Sequence, residues 1–378
     1  MTSIAYFNAG SSVYDYFFLS KFHQKFNVFL LTFSPRPKYL PNGIRSITIP
    51  EPIGQFPVHD APRAYPMMPF KVMMSKKFLK NIKPDVLIGC GLDYGFLSAR
   101  SGYRPFVLFI WGSEVLLWPK FLPFGAMMKF ALKKADLVVL DSNIQLKSCV
   151  KLGCNKKKII RLPWIDSEEV EKLARGARVE RDEFRKKLGW NEEDPIITCT
   201  RSHKKTYDIE TIVQAIPIIL REMPNVRFLF IGKGSLTEKL RQMTERLNIE
   251  ENVRFAGLVP HHRIFYYLKN SDIYASSSLS DGTSASLLEA MTCKLPCIVS
   301  DIPGNKEWIK NMENGLVFPT KDSRALAKKI ITLIKNEDLS TRLAENAFKT
   351  VRERANWREN SKVLNNLIER LAEKKVTR

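Results

Sequence analysis

Residues 273–291 read IYASSSLSDGTSASLLEAM. The short β-rich run Ile273–Ser276 passes into a polar turn of small residues that contains Gly282, and a helix is predicted to begin near Thr283 or Ser284. Unbonded N–H groups at such a helix start form an anion site, which the helix dipole reinforces. This strand, turn and helix therefore predict a site that a phosphate or a sugar can approach closely.

The same order of strand and helix runs along the whole chain. Runs that predict strands occur at Ile4–Asn8, Val28–Phe33, Val86–Cys90, Phe106–Trp111, Leu137–Asp141, Ile159–Leu162, Ile196–Thr200, Val226–Ile231, Val253–Ala256, Ile273–Ser276, Cys297–Ser300 and Leu316–Phe318. Helical patterns fall between them, as at Ile209–Met223, Leu236–Leu247 and Ser323–Lys335. This alternation predicts an α/β fold with parallel sheets.

The chain has 378 residues, which is more than a single core of ordinary size accommodates. A charged stretch, 166–194, contains no strand candidate and separates the two halves. We predict two Rossmann-like, doubly wound domains at 1–180 and 181–350, with a terminal helix in 351–378 that crosses back to the first domain. Ligand loops at the carboxyl ends of the two sets of strands would then face each other across a cleft.

The bulk composition is that of a globular protein, with 44% hydrophobic and 26% charged residues. No uncharged apolar run reaches about 18 residues, and the N-terminal residues lack the features of a secretory signal, so we expect a cytoplasmic protein. The six cysteines include no CxxC pair and are predicted to be reduced core residues. No histidine has partners at metal-ligand spacing, so we predict no metal site.

Two acidic residues flank the start of the predicted helix. Asp281 in the turn could simply stabilise the helix N-terminus, which is worth about 0.3–1 kcal/mol. Glu289 lies inside the helix with Leu, Ala and Met on either side, so it is predicted to be mostly buried. A buried carboxylate needs hydrogen-bond donors, and vicinal hydroxyls such as those of a ribose would serve.

Several short motifs surround Asp281 and Glu289 in the sequence. They are Phe255-Ala256-Gly257, Ser271-Asp272-Ile273, Asp281-Gly282, Leu288-Glu289-Ala290-Met291, Leu295-Pro296-Cys297-Ile298-Val299-Ser300-Asp301 and Gly315-Leu316-Val317. Residues 253–318 resemble the signature region of glycosyltransferase family 4, whose fold is GT-B. In that family two acidic residues are separated by seven positions, as Asp281 and Glu289 are here. The first of them is usually Glu, one methylene longer than Asp, and Lys294 stands where the family usually has Gly.

The resemblance implies a donor-binding role for residues 181–350 and an acceptor-binding role for residues 1–180. Glu289 would bind the ribose hydroxyls of a nucleotide-sugar, and Asp281 would hold hydroxyls of the transferred sugar. The backbone N–H groups that would assist belong to Gly282, Thr283, Ser284 and Ala285. Retention of the anomeric configuration is likewise implied by the family.

Further donor-site residues follow three other strand candidates. Arg201 and Lys205 match the basic residues that the family places against the departing diphosphate, although the spacing leaves Lys204 as an alternative. A basic loop could also be a solvated surface. Gly232 belongs to a GxG motif that lacks the third glycine of a dinucleotide site, and it would line the donor pocket. The resemblance places Leu258 and Val259 where the backbone meets the nucleobase.

Two loops of the first half resemble family loops more loosely. Gly10 and Ser11 follow the first strand in what resembles a degenerate glycine-rich loop, with Gly10 near the donor phosphate and Ser11 on the sugar side. The same residues could form an ordinary βα turn. Trp111-Gly112-Ser113-Glu114 resembles a loop near the sugar, with Glu114 in place of the commoner Asp.

The net charge of +21 suits an anionic partner. The segments Arg63–Lys83 and Lys120–Lys134 mix lysines with Met, Phe and Leu and contain no acid. Such helices suit an anionic membrane surface, where each Lys or Arg contributes about 1 kcal/mol. The alternative is an ordinary amphipathic core helix with a solvated lysine face.

From these features we expect a retaining, hexosyltransferase-type enzyme that uses a UDP- or GDP-sugar and needs neither cofactor nor metal. Its acceptor would be a hydroxyl of a glycan, lipid-linked or close to the membrane, in polysaccharide or glycoconjugate synthesis. The alternatives are another GT-B enzyme, such as a phosphorylase or a nucleotide-sugar epimerase, and a basic nucleic-acid-binding protein. No nucleic-acid-binding motif accompanies the charge, so we predict no nucleic-acid partner.

Overall fold

The fold of the chain is given by a computed structural model, which describes residues 1–10, 13–34, 40–50, 67–163, 165, 167–177 and 180–376. The chain forms two compact units. The first comprises Met1–Leu162 together with Arg358–Arg378, and the second comprises Pro163–Trp357. The second unit thus begins earlier than the predicted domain limit at 181 and ends later than the one at 350.

The first unit is built on a seven-stranded sheet. Its strands are β1 (Ser3–Phe7), β2 (Asn27–Thr32), β3 (Arg45–Thr48), β4 (Val86–Cys90), β5 (Phe106–Phe109), β6 (Leu137–Leu140) and β7 (Ile159–Arg161). They pair in parallel in the order β3-β2-β1-β4-β5-β6-β7. The helices of this unit are Val13–His23, Met68–Ile82, Gly91–Ser101, Ser113–Leu116, Phe124–Lys134 and Asn143–Lys151.

The second unit is built on a six-stranded parallel sheet. Its strands are β8 (Ile196–Cys199), β9 (Arg227–Ile231), β10 (Val253–Gly257), β11 (Ile273–Ser276), β12 (Cys297–Ser300) and β13 (Leu316–Phe318), in the order β10-β9-β8-β11-β12-β13. Its helices are Ser167–Gly176, Arg181–Lys187, Ile209–Leu220, Thr237–Arg246, His261–Lys269, Ala285–Thr292, Pro303–Lys306, Ser323–Lys335 and Glu337–Arg354.

Both sheets have the strand order of a doubly wound fold, in which the direction of winding reverses once. The reversal falls between β1 and β4 in the first sheet and between β8 and β11 in the second. Central strands such as β4 and β12 are buried along their whole length, because helices cover both faces of each sheet. The predicted α/β class with two parallel-sheet domains is confirmed.

The last helix, Trp357–Val376, runs from the boundary of the second unit into the first. Lys25 pairs with Glu369 at 2.9 Å, and Lys375 Nζ donates to Tyr103 Oη at 2.9 Å. Leu364 and Ile368 are fully buried. These contacts attach the end of the chain to the first unit.

All six cysteines are buried, and none forms a disulfide. Within the described ranges, no helix combines the length and the apolar composition that crossing a bilayer requires.

Candidate active site

The loops that follow β8 and β11 are joined where the winding of the second sheet reverses. Leu279 N–H donates to Thr206 O at 2.8 Å, and Ser277 Oγ donates to Asp208 O at 2.7 Å. Such a reversal leaves a crevice at the carboxyl ends of the strands, where ligands of doubly wound folds bind. The two loops that the sequence singles out for Arg201 and Asp281 therefore meet at this edge.

The turn after β11 is shaped by close packing. The helix begins at Ala285, and Ser284 caps it by accepting a hydrogen bond from Leu287 N–H at 3.3 Å. A Cβ at Gly304 would lie 2.5 Å from the carbonyl oxygen of Asp281, so only glycine allows the turn to sit there. Gly304 is a site residue that sequence reasoning missed, since nothing in the sequence connects it to the turn.

Arg201 is the centre of the hydrogen-bond network at this edge. Its guanidinium is buried and contacts Asp281 Oδ2 at 2.5 Å, Ser284 Oγ at 2.8 Å and Ser286 Oγ at 3.2 Å. It also lies 3.9 Å from the ring centroid of Tyr207. Burial alone would lower the pKa of Arg201, but the negative charge of Asp281 outweighs it and raises the pKa. The group is therefore a permanent cation.

Asp281 is thus engaged by Arg201 rather than left open in the turn. One of its oxygens accepts the short bond from the guanidinium, and its side chain is 18% exposed. The pair brings together two of the predicted catalytic residues, which lie 80 positions apart in the sequence. Contact of Asp281 with a sugar stays a prediction.

Glu289 is buried in the helix Ala285–Thr292, as its apolar flanks predict, with 6% of its surface exposed. Its Oε1 lies 2.7 Å from His261 Nε2. Burial lowers the pKa of His261, but the hydrogen bond and charge of Glu289 outweigh that effect, and Glu169 adds to it, so the pKa is raised. The sequence gives no sign of this histidine partner. Binding of ribose by Glu289 stays a prediction.

The two lysines of the loop after β8 are solvent-exposed. Lys204 and Lys205 are both exposed, and neither forms an ion pair with any other described residue. Lys205 opens a short 3-10 helix, Lys205–Tyr207, that also supplies the ring beneath Arg201. Both lysines therefore remain candidates for contact with a diphosphate.

Gly232 lies against the backbone of the Arg201 loop. Its φ is +139°, and a Cβ there would lie 2.8 Å from Arg201 O. Gly234 meets the same loop, because a Cβ would lie 2.3 Å from His203 O. These glycines allow the loops after β8 and β9 to pack together, so Gly232 supports the position of Arg201. Contact of Gly232 with the donor is not tested by this packing.

The connection after β10 carries the two residues predicted to meet a nucleobase. Leu258 is 76% exposed, although it is a large apolar residue. Val259 is partly buried and packs against a cluster that includes Trp190. Gly257, the last residue of β10, has φ of +70° and turns the chain towards them. An exposed leucine suits the face of a nucleobase, and this role remains a prediction.

In the first unit, two predicted residues occupy the carboxyl edge of the sheet. Gly10 is buried, with φ of +69°, in the loop after β1. Ser11 lies outside the described residues. Glu114 is buried, and its two oxygens accept hydrogen bonds from Trp111 N–H and, at 2.9 Å, from Gly112 N–H. Burial raises the pKa of Glu114 despite these bonds. Its carboxylate is thus used to close its own turn.

Asp93 is an acidic residue at the same edge that sequence reasoning missed. It lies in the first turn of the helix Gly91–Ser101, directly after β4. Burial raises its pKa from 3.8 to about 6, although the nearby Lys71 lowers it. A carboxyl that titrates near neutrality beside a sheet reversal is a candidate for the acceptor side. No run of apolar residues or known spacing marks it in the sequence.

Among the described residues, no group of three or more His, Cys, Asp or Glu side chains is arranged to hold a metal ion. The expectation that catalysis needs no metal remains a prediction.

Comparisons with known proteins bear on the class of the chain. Residues 180–350 match the family model described as Glycosyl transferases group 1, and residues 3–142 match the model described as Glycosyl transferase 4-like. The first match contains Arg201, Asp281 and Glu289. Together the two matches support a GT-B glycosyltransferase of the group 1 and 4-like kind.

Individual relatives agree with this class. The chain is 25% identical over 227 residues to N-acetyl-alpha-D-glucosaminyl L-malate synthase of Bacillus anthracis, covering 60% of this chain and 58% of that protein. It spans between 30% and 60% of the length of these curated relatives.

Two solved structures have the same fold. Anabaena Alr3699/HepE in complex with UDP-glucose gives a TM-score of 0.78 at 17% identity, covering 97% of this chain and 100% of that one. The sucrose-phosphate synthase of Thermosynechococcus elongatus gives a TM-score of 0.81 at 17% identity, covering 98% and 99%. At this identity the likeness shows the fold alone, and the fold is GT-B.

Proposed function

We propose that the protein is a retaining glycosyltransferase that moves a hexosyl residue from a UDP- or GDP-sugar to a hydroxyl of a glycan acceptor. The observation that carries this proposal is the buried Arg201, bonded to Asp281 and Ser284 at the reversal of the second sheet. Its Nε is buried and has no hydrogen-bond partner among the described residues. A permanent cation with an unused donor at a ligand-binding edge suits a diphosphate.

In the proposed reaction, the acceptor hydroxyl oxygen forms a bond to the anomeric carbon on the face from which the diphosphate departs. The bond from that carbon to the diphosphate oxygen breaks, and the departing oxygen takes the hydroxyl proton. Arg201, with Lys205 or Lys204, neutralises the charge that builds on the diphosphate. In this proposal, side chains neutralise the charge of the diphosphate, a task that a metal ion performs in other transferases.

The remaining roles follow the family resemblance. Asp281 would bind hydroxyls of the transferred sugar, and the N–H groups of the turn before Ala285 would support the phosphate. Glu289 would bind the ribose. The complexes of HepE with UDP and with UDP-glucose are consistent with a uridine nucleotide as the first donor to test.

A thermal-shift screen of UDP- and GDP-sugars tests the donor. A ligand at about 100 times its dissociation constant stabilises by roughly 2.7 kcal/mol. The proposal expects at least one nucleotide-sugar to raise the melting temperature, and NMR of the transfer product to show the donor's anomeric configuration. Absence of any shift would overturn the donor assignment, an inverted product would overturn retention, and pyridoxal absorbance would favour a phosphorylase.

We also propose that the acceptor is lipid-linked or membrane-proximal, with the enzyme on the cytoplasmic membrane face. Three neighbouring helices of the first unit, Met68–Ile82, Gly91–Ser101 and Phe124–Lys134, support this. Their exposed charged side chains are Lys76, Lys77, Lys80, Arg100, Lys129, Lys133 and Lys134. The one acid of these helices, Asp93, is half-buried.

An apolar tip adjoins this basic surface. Phe121 and Leu122, just before the helix Phe124–Lys134, are 61% and 88% exposed. Lys71, Met127 and Met128 are buried, so they are not available to a membrane as the sequence suggested. Residues 63–66 of the first basic segment lie outside the described ranges. These exposed apolar side chains favour a bilayer as the partner over a nucleic acid, because a bilayer can bury them and a phosphate backbone cannot.

Co-sedimentation with vesicles of phosphatidylcholine, with and without phosphatidylglycerol, tests this surface. Lys129→Glu with Lys133→Glu should lower binding to anionic vesicles by roughly 25-fold or more, at about fivefold for each lysine. The matched control, Lys156→Glu with Lys157→Glu, changes the same charge on another part of the first unit. Equal losses in both variants, equal binding to neutral vesicles, or salt-dependent DNA binding in place of vesicle binding would contradict the proposal.

A further inference from the structure

Glu289 has one oxygen bound to the protein and one that is not. Oε1 lies 2.7 Å from His261 Nε2, while no other described residue forms a hydrogen bond with Oε2. The carboxylate is 6% exposed, so water can solvate it only poorly. A carboxylate in such a place requires a further donor. Oε2 is not among the buried atoms that lack a hydrogen-bond partner, so it is the oxygen that a ligand hydroxyl can reach.

His261 is itself held firmly. It is the first residue of the helix His261–Lys269, and its ring meets the ring of Phe265 edge-on at a centroid distance of 5.5 Å. Phe265 is fully buried. The helices that carry His261 and Glu289 both pack against the helix Ser167–Gly176. The imidazole is thus fixed by packing before it meets the carboxylate.

We infer that His261 is a positioning residue, which orients the Glu289 carboxylate so that its second oxygen receives a ribose hydroxyl of the donor. This inference rests on the proposed function. A fixed rotamer lowers the entropy that binding would otherwise cost. His261 acts through Glu289, so its loss weakens recognition of the ribose and leaves the chemistry at the sugar unchanged.

The position of His261 in the chain links it to recognition of the base. Leu258 and Val259, the residues expected to meet the nucleobase, precede it by three and two positions. One connection, from Gly257 to His261, would therefore carry the base contacts and set the ribose contact. Nothing in the family spacing of Asp281 and Glu289 identifies this histidine.

Binding of UDP and 2′-deoxy-UDP, measured by isothermal titration calorimetry, tests the inference. If GDP binds the wild type more tightly than UDP, the comparison is made with GDP and 2′-deoxy-GDP instead. A hydrogen bond to a charged group is worth about 1.5–3 kcal/mol, so the wild type should prefer the ribonucleotide by at least about tenfold. In His261→Ala this preference should fall below about threefold, because the carboxylate is no longer held.

Two further variants separate positioning from a general structural role. His261→Gln keeps an N–H donor on a side chain of similar reach and should retain part of the preference. His262→Ala, at the exposed neighbouring histidine, should leave it at the wild-type value. With a saturating donor, kcat of His261→Ala should stay within about threefold of wild type while KM for the donor rises about tenfold.

The outcomes distinguish this inference from the proposed function. If neither UDP nor GDP binds the wild type, the proposed function fails. If Glu289→Gln loses the preference for the ribonucleotide but His261→Ala, folded by circular dichroism, retains it, then the role of His261 alone is overturned. Equal loss of UDP and 2′-deoxy-UDP affinity in His261→Ala would also overturn it, because that result indicates a general change in the site.

Discussion

Arg201→Ala should affect stability and catalysis by separable amounts. The side chains of Arg201 and Asp281 are 7% and 18% exposed, so the ion pair is largely buried. Deletion of one partner of a buried pair costs about 3–5 kcal/mol, and because Asp281 keeps some solvent contact we take the lower figure. At about 2–4 °C per kcal/mol for a unit of this size, the melting temperature should fall by roughly 6–12 °C.

The catalytic loss has a different origin. Removal of one preorganised electrostatic donor lowers kcat by about 10²–10³-fold, and Arg201 is the buried cation assigned to the diphosphate. Differential scanning fluorimetry without donor measures the stability loss, and initial rates of nucleotide release, at saturating donor and below the melting transition, measure the catalytic loss. Both are expected in the single variant.

The double variant Arg201→Ala with Asp281→Ala separates the two effects. It removes the stranded carboxylate, so part of the lost stability should return through a coupling of about 0.5–3 kcal/mol. Turnover should not return, because no buried cation then faces the diphosphate. If the double variant recovered turnover, Arg201 would serve only to neutralise Asp281, and the assignment of the diphosphate to Arg201 would be refuted.

Two other perturbations test local features. Lys294 has a left-handed backbone, with φ of +58°, and its contacts with Glu345 and the Phe348 ring are exposed and weak, so Lys294→Gly should raise the unfolding free energy by about 0.5–1 kcal/mol. Thermal melts should show this gain for Lys294→Gly but not for Lys294→Ala, which keeps the strain. The pKa of Asp93 is raised from 3.8 to about 6, which makes its ionised form cost up to about 3 kcal/mol in the folded chain above pH 6. Asp93→Asn should therefore raise the free energy of unfolding at pH 7.5. In denaturant titrations this gain should shrink as the pH falls through about 6 and vanish below 3.8. A gain that does not depend on pH would contradict this cause.

The central strands could be predicted from the sequence because they are buried on both faces. β4, β11 and β12 have the predicted limits, and so does the edge strand β13, because each carries a short apolar run. β3 was missed because it is a half-exposed edge strand that begins with Arg45 and has no apolar run. Hydrophobic patterning thus identifies strands that carry an apolar run, including the edge strands β7, β10 and β13, and misses an edge strand without one.

The terminal region shows where periodicity is insufficient. The sequence predicts a terminal helix in 351–378 without marking where it begins, and the structure ends one helix at Arg354 and starts the next at Trp357. Trp357 is buried, and its N–H donates to Ile165 O at 3.2 Å. The break is thus set by a tertiary contact with a distant residue, which local sequence patterns do not contain.

The residues of the candidate site also divide into those that local sequence predicts and those that only the structure shows. The spacing of Asp281 and Glu289 and the basic loop at Arg201 are local and could be predicted from the sequence. The partners that complete the site lie far away in the chain: His261 is 28 positions from Glu289, and Gly304 packs on the turn from the next βα unit. Their positions depend on how the sheet is wound, so only the structure shows them.

The most direct test of the proposed donor site is kcat/KM for the donor in Glu289→Gln, measured by nucleotide release with whichever nucleotide-sugar stabilises the wild type. Loss of the carboxylate charge should lower kcat/KM at least about tenfold, because bonds from ribose hydroxyls to a charged acceptor are worth about 1.5–3 kcal/mol. Glu313→Gln, the same change at an exposed glutamate, should leave kcat/KM unchanged. A folded Glu289→Gln enzyme with the kcat/KM of wild type would contradict the account.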